Sequence, residues 1–171
     1  IYKPIQPTRA PMVHSVSLCP LGGEGRGDEL DCRTTAFVGP AQREFFVSTS
    51  DIYLWVTPNP WRDADPKQPC PGANAGADAF AVPATLFQVP LSGASPRALH
   101  TRGQPTNQLA MDASATEFRA LLGWNTSRCN QNQTAQIRYF RAPLTGLATT
   151  PQTAPARSYT ETPSVPTGNY E

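Results

Sequence analysis

The sequence is short of charge and of long apolar runs. Charged residues make up 16% of its 171 residues, below the roughly 25% of an average soluble domain. Lys and Arg number 14 against 13 Asp and Glu, a net charge of +1, which argues against a nucleic-acid-binding surface or an acidic tail. No apolar run reaches the roughly 18 residues of a membrane span, so the sequence predicts no transmembrane helix.

Motifs of known chemistry are also missing. Neither G-x-S-x-G nor H-E-x-x-H occurs, and the glycine-rich stretch at 22–27 lacks the Gly-Lys-Ser/Thr ending of a phosphate-binding loop. The two histidines, His14 and His100, stand apart from any nucleophile motif. We therefore predict no catalytic residues, no metal site and no cofactor.

Four cysteines are present, and none belongs to a C-x-x-C pair: Cys19, Cys32, Cys70 and Cys129. Zinc sites use closely spaced pairs, whereas an even number of cysteines in a turn-rich chain is typical of disulfides and of an oxidising compartment. We predict a local Cys19–Cys32 bond and a Cys70–Cys129 bond between two insertions, with free buried thiols as the alternative. The predicted location is secreted, periplasmic or at the cell surface.

Proline, at 19 residues, and glycine, at 12, disfavour long helices. Three β-prone stretches share an ending in which Pro-Leu is closely followed by Gly, and they lie at 13–21, 85–91 and 137–144. A proline at the end of a strand removes a donor from the hydrogen-bond ladder, and the glycine favours a turn. We interpret each stretch as an outer, edge-like strand.

Other β-prone segments follow in a repeated order between these endings, at 34–38, 44–49 and 52–56 and again at 97–101, 108–112 and 117–122. Four antiparallel strands per unit predict the blades of a β-propeller. The blades are expected at about 31–91 and 97–144 of a single segment, 1–171, with flanking strands at 12–21 and 157–162. The most apolar segments are expected to be covered on both faces, namely 45–47, 52–56 and 118–122. A β-sandwich is the alternative.

Two tryptophans, Trp61 and Trp124, lie in the longer polar insertions at about 57–84 and 123–136. Exposed aromatic side chains on a propeller face bind sugars or proteins. Packing of the insertion onto the edge of a blade is the alternative. Both tryptophans are therefore candidate binding residues.

Four phrases of the sequence carry a family resemblance: CRTTAFVGP at 32–40, REFFVS at 43–48, DIYLWV at 51–56 and LFQVPLSG at 86–93. In these phrases the chain resembles bacterial secreted proteins with a C-terminal β-propeller domain. The resemblance spans roughly 13–144 and implies export, a propeller fold and no established chemistry. Because members of that family are far longer, it also implies that this chain is incomplete.

We therefore expect a non-catalytic exported scaffold or binding module, part of a larger propeller or of an envelope or extracellular assembly. Two blades leave open faces and unpaired edges. The remaining blades are expected from the same polypeptide or from a partner protein, and no nucleic-acid partner is expected. The alternative is a fragment of a propeller-fold extracellular hydrolase or lyase.

Overall fold

The computed structural model describes Thr8 and residues 10–20, 32–59, 77–124 and 136–163. Within these ranges the chain is all-β, as predicted, and its helical elements are short 3-10 turns. The strands are β1 Met12–Leu18, β2 Arg33–Gly39, β3 Gln42–Val47, β4 Asp51–Thr57, β5 Pro83–Pro90, β6 Arg97–Arg102, β7 Gln104–Pro105, β8 Met111–Ala113, β9 Glu117–Gly123, β10 Ile137–Pro143 and β11 Tyr159–Glu161.

These strands form three antiparallel sheets in the described part of the chain. Sheet 1 consists of β1 and β2, and sheet 2 has the order β3-β4-β5-β6. Sheet 3 has the order β11-β10-β9-β7, with β8 also paired to β9. Since β7 and β8 pair with successive parts of β9, they share one strand position. Sheets 2 and 3 are thus both meanders of four strand positions.

Each of the two larger sheets begins and ends one strand later in the chain than the sequence predicted. Strand β2 pairs with β1, β6 completes sheet 2, and β11 completes sheet 3. The two larger sheets therefore span 42–102 and 104–161, whereas the predicted units were 31–91 and 97–144. A short connection looks the same in sequence whether it joins two strands of one sheet or passes to the next sheet.

The strands that end in Pro-Leu are not all sheet edges. Strand β5 lies between β4 and β6, and β10 lies between β9 and β11, so the edge prediction is wrong for both. Pro90 and Pro143 are each the last residue of their strand, where a missing N–H interrupts the ladder least. The predicted turns do follow. Gly93 N donates to Pro90 O at 3.0 Å, and Leu147 N donates to Leu144 O at 3.2 Å.

Two apolar clusters fill the spaces between the three sheets. Sheets 1 and 2 enclose the smaller cluster, which contains Phe37, Leu54, Val56, Phe87, Val89 and Ala98. Sheets 2 and 3 enclose the larger cluster, whose bulkiest members are Tyr53, Trp55, Leu86, Phe118, Leu122, Trp124 and Phe140. Alternate residues of a strand face opposite sides, so β4 contributes to both clusters. Sheet 2 is therefore a middle layer.

Coverage on both faces holds for β4 but not for the other two apolar segments. Strand β3 is an edge of sheet 2, and its Phe45 and Val47 side chains are 50% and 54% exposed. In β9, Phe118 and Leu122 are buried whereas Leu121 is 43% exposed. The prediction is therefore wrong for one face of β3 and one face of β9. Apolar composition alone does not distinguish a middle strand from an edge strand.

Trp55 connects sheet 2 to sheet 3. Its indole Nε1 donates to Gly103 O at 3.0 Å, and its ring packs against Phe118 and Phe140. Gly103 lies between β6 and β7 with φ at 79°, the left-handed region that favours glycine. This glycine is thus the point at which the chain passes from one sheet to the next.

Candidate functional site

A groove opens between sheets 1 and 2, beside the strand β1. It has a volume of about 300 Å³ and is lined by residues of β1, β3 and β4, namely His14, Ser15, Val16, Arg43, Phe45, Val47, Ile52 and Leu54. The alternation of β3 directs Phe45 and Val47 toward this groove, whereas Phe46 packs against the larger cluster on the other side. The groove is therefore a largely apolar channel between a strand edge and a sheet face.

His14 and Arg43 form the polar part of the groove. His14 Nε2 lies 2.7 Å from Pro40 O and must donate to it, because a carbonyl oxygen only accepts. His14 Nδ1 then accepts from the Arg43 guanidinium at 3.4 Å. Burial lowers the pKa of His14, the bond to Pro40 O raises it, and the charge of Arg43 lowers it further. The imidazole is thus held neutral.

Arg43 brings a positive charge to the groove without a carboxylate partner in the described ranges. Its hydrogen-bond partner there is the neutral His14 ring. The ion-paired arginines of these ranges are instead found in the pairs Arg119–Asp112, Arg138–Asp78 and Arg141–Glu117. An apolar wall with one unneutralised cation suits an apolar segment that also carries a carboxylate.

The predicted bond between Cys19 and Cys32 is confirmed. It joins the chain just after β1 to the chain just before β2, with the two Cα atoms 4.2 Å apart. The bond therefore ties the two strands of sheet 1 together at one end. Cys70 and Cys129, predicted to form the second bond, lie outside the described residues.

Trp124 is buried at the end of β9 rather than presented to solvent. Its side chain is 1% exposed, its ring centroid lies 5.0 Å from that of Tyr159, and the Arg138 guanidinium stacks 4.7 Å above it. Burial also raises the pKa of Tyr159 to about 12. The packing alternative therefore describes Trp124, and the role of an exposed binding aromatic does not hold there. Trp61 lies outside the described residues.

The sequence contained a signal for the groove that the prediction missed. Along β3, the groove-facing set Arg43, Phe45 and Val47 alternates with Gln42, Glu44 and Phe46. A strand with a charged residue on each face is typical of a sheet edge. A continuous apolar segment such as β4 is typical of a strand covered on both faces. That contrast identifies the exposed strand.

The described residues contain no cluster typical of a metal site. Nowhere in these ranges do three or more His, Cys, Asp or Glu side chains come together as metal ligands do. His14 and His100 lie in different sheets, on β1 and β6. Nor does any helix in this part of the chain have the length and apolar character that crossing a membrane requires.

The fold and the groove define a class: an antiparallel all-β protein whose described residues form stacked sheets with an apolar groove open beside β1. Comparison of the chain with protein-family models, with curated proteins and with solved structures found no match.

Proposed function

We propose that the chain is a run of consecutive blades of an exported β-propeller and serves as a non-catalytic scaffold or binding module in a larger assembly. The observation that carries the proposal is that sheets 2 and 3 share atomic details at corresponding positions while they stack face to face. Such repetition is the property that defines blades. The remaining blades come from the same polypeptide or from a partner protein.

The first hairpin turns of sheets 2 and 3 are built alike. Ser48 Oγ accepts from Asp51 N at 3.0 Å and donates to Asp51 O at 3.0 Å. Ser114 Oγ accepts from Glu117 N at 3.1 Å and donates to Glu117 O at 3.3 Å. The same turn, placed ahead of the second strand position of both sheets, is expected of repeated units and not of two unrelated sheets.

A polar pair across neighbouring strands also recurs. The Asp51 carboxylate at the start of β4 accepts from Gln88 Nε2 on β5 at 2.8 Å. The Glu117 carboxylate at the start of β9 pairs with Arg141 Nε on β10 at 3.3 Å. In both sheets the acid is the first residue of its strand, and its partner lies two residues before the final proline of the next strand.

The layering supports a propeller over a β-sandwich. A sandwich of two sheets encloses one interior, whereas sheet 2 takes part in two separate apolar clusters. A blade inside a propeller is covered by its neighbours on both faces. The resemblance to secreted proteins with a propeller domain agrees with this arrangement.

Export is supported by the bond between Cys19 and Cys32, because such bonds persist mainly in oxidising compartments. Rapid alkylation of thiols in intact cells, followed by mass analysis of the peptides, tests this part of the proposal. We expect Cys19 and Cys32 to escape alkylation until reductant is added. Alkylation of both in untreated cells would contradict export.

The mass of the native particle tests the scaffold proposal. Propellers close with about four to eight blades, so protein isolated from its source without denaturation should exceed the 18.5 kDa of this chain. The excess should appear either as a longer polypeptide or as a complex. A monodisperse, well-folded particle of 18.5 kDa would contradict the proposal.

A further inference from the structure

The groove beside β1 leaves one face of sheet 2 exposed, whereas sheet 2 covers the equivalent face of sheet 3. We infer that this groove receives an antiparallel β-hairpin, which pairs with the free edge of β1 and places large apolar side chains on Phe45 and Val47. This inference rests on the blade arrangement proposed above and names the occupant of one open face.

Phe45 and Val47 have structural equivalents in sheet 3. Phe45 pairs with Leu54 across the first hairpin of sheet 2, and Met111 pairs with Ala120 across the corresponding hairpin of sheet 3. Met111 is 4% exposed, whereas Phe45 is 50% exposed. The equivalent position is therefore buried in sheet 3 and half exposed in sheet 2.

The cover over Met111 comes from the first two strands of sheet 2. Tyr53 and Trp55 of β4 belong to the cluster that contains Met111, and Phe46 of β3 packs against that cluster. No described residue provides a corresponding cover over Phe45. The apolar face is covered at the interface between sheets 2 and 3 and exposed at the equivalent position beside sheet 1. This difference indicates that a layer is missing over Phe45.

Sheet 1 lacks the two strands that would supply that layer. Strand β2 leads into β3 through residues 40–41, just as β6 leads into β7 through Gly103 alone. Strands β1 and β2 thus correspond to the third and fourth positions of a unit. Among the described residues β1 pairs with β2 alone, so no described strand occupies its other edge, beside the groove.

The chemistry of the groove indicates which side chains the hairpin carries. Strand pairing with β1 supplies main-chain hydrogen bonds, and alternate side chains enter the groove. Those side chains are large and apolar, as Phe46, Tyr53 and Trp55 are in the equivalent position. A carboxylate on the same strand pairs with Arg43, which has no acidic partner among the described residues. The strand order in sheets 2 and 3 places this hairpin ahead of β1 in the same polypeptide.

Hydroxyl-radical labelling tests the inference. The 171-residue chain alone and the native particle isolated from its source are oxidised in parallel, and labelled residues are quantified by mass spectrometry. We expect Phe45 to be labelled in the chain alone and to lose most of its labelling in the native particle. Leu109, 87% exposed on the 3-10 turn ahead of β8, is the control and should be labelled equally in both. Equal labelling of Phe45 in both samples would overturn the inference.

Leu121, on the outward face of sheet 3, separates this inference from the propeller proposal. If Phe45 is protected in the native particle while Leu121 is still labelled, the hairpin inference stands and a closed ring of blades is contradicted. If Leu121 is protected while Phe45 is still labelled, a further layer stacked on sheet 3 remains supported and the hairpin inference is overturned. A native particle made only of copies of this chain, with Phe45 protected, would assign the groove to a second copy and overturn a hairpin of the same polypeptide.

A variant provides an independent readout. Phe45→Ser should lower the Tm of the isolated chain only slightly, because the residue is already half exposed there. The same substitution should lower the Tm of the native assembly by clearly more, because we infer that the ring is fully buried there. Leu109→Ser is the matched control and should change neither Tm. Equal Tm values for the Phe45→Ser and unmodified assemblies would contradict the inference.

Discussion

At the scale of single residues, Gly103 shows how little space the crossing between sheets leaves. A Cβ added there would lie 3.1 Å from Gly123 O and 3.2 Å from the Trp124 ring, at a φ of about +80°. Both the contacts and the backbone angle oppose any other residue. We therefore expect Gly103→Ala to reduce the free energy of unfolding by about 2 kcal/mol, measured by urea denaturation.

Gly123→Ala is the matched control for this prediction. A Cβ added at Gly123 would meet Gln104 O at 3.6 Å, an ordinary van der Waals distance. Its effect on the free energy of unfolding should stay within roughly 0.5 kcal/mol. Equal losses in the two variants would show that the crossing at Gly103 is not tightly packed.

His14 makes the stability of sheet 1 depend on pH. Its pKa in the folded chain is below the ordinary value of 6.5 because of burial. Between these two values the unfolded chain binds a proton that the folded chain does not, so the free energy of unfolding falls as pH decreases. The stabilisation is complete above pH 6.5, is lost as the pH falls to the folded-state pKa, and changes no further below it.

His14→Gln tests this prediction, since glutamine keeps a donor for Pro40 O and does not titrate. We expect a smaller loss of stability between about pH 7.5 and pH 5 in the variant than in the unmodified chain. His100, whose pKa burial also lowers, contributes to the dependence that remains. Denaturant titrations at several pH values provide the comparison. Parallel pH profiles for the two proteins would contradict the assignment.

The sequence predicted some of these residues better than others. Cys19 and Cys32 lie at the two ends of a glycine-rich stretch, and a local bond between them requires only that the stretch turn back on itself. The environment of Trp124 depends on Arg138 and Tyr159, which belong to strands β10 and β11. Burial created by residues distant in sequence cannot be recognised from the tryptophan and its neighbours.

At the scale of secondary-structure elements, the two hairpin turns provide a direct comparison. Ser48→Ala and Ser114→Ala each remove a hydroxyl that bonds to both the N–H and the C=O of the residue three positions later, Asp51 or Glu117. Each should lower the free energy of unfolding by about 1 kcal/mol. Thr49→Ala, in the exposed tip of the first turn, is the control and should have no measurable effect. A loss in one hairpin without a loss in the other would contradict their equivalence.

Strand positions were predictable because alternation and proline-glycine turns are local signals. The pairing of strands was not, because it depends on which faces the sheets bury. The segment at 97–102 was assigned to the unit that follows it, yet it pairs with β5 of the preceding sheet. Its backbone also bonds to Ala148 and Gln152 at its other edge, and no sequence pattern indicated that contact.

At the scale of the whole molecule, the two end layers differ in chemistry. The groove beside sheet 1 is mainly apolar, with Phe45 and Val47 half exposed. The outward face of sheet 3 combines the exposed Leu121 with ion pairs of Arg119 and Arg141. Covering the groove would therefore remove more apolar surface from water, whereas a cover over sheet 3 would have to keep its charges paired.

We propose that these stacked sheets are blades around a common axis. A single-particle reconstruction of the native assembly isolated from its source is the direct test. We expect four to eight four-stranded sheets arranged in a ring, with sheets 2 and 3 as adjacent members and a further hairpin over Phe45. A finite stack of sheets without a central axis, or a closed two-sheet sandwich, would contradict it.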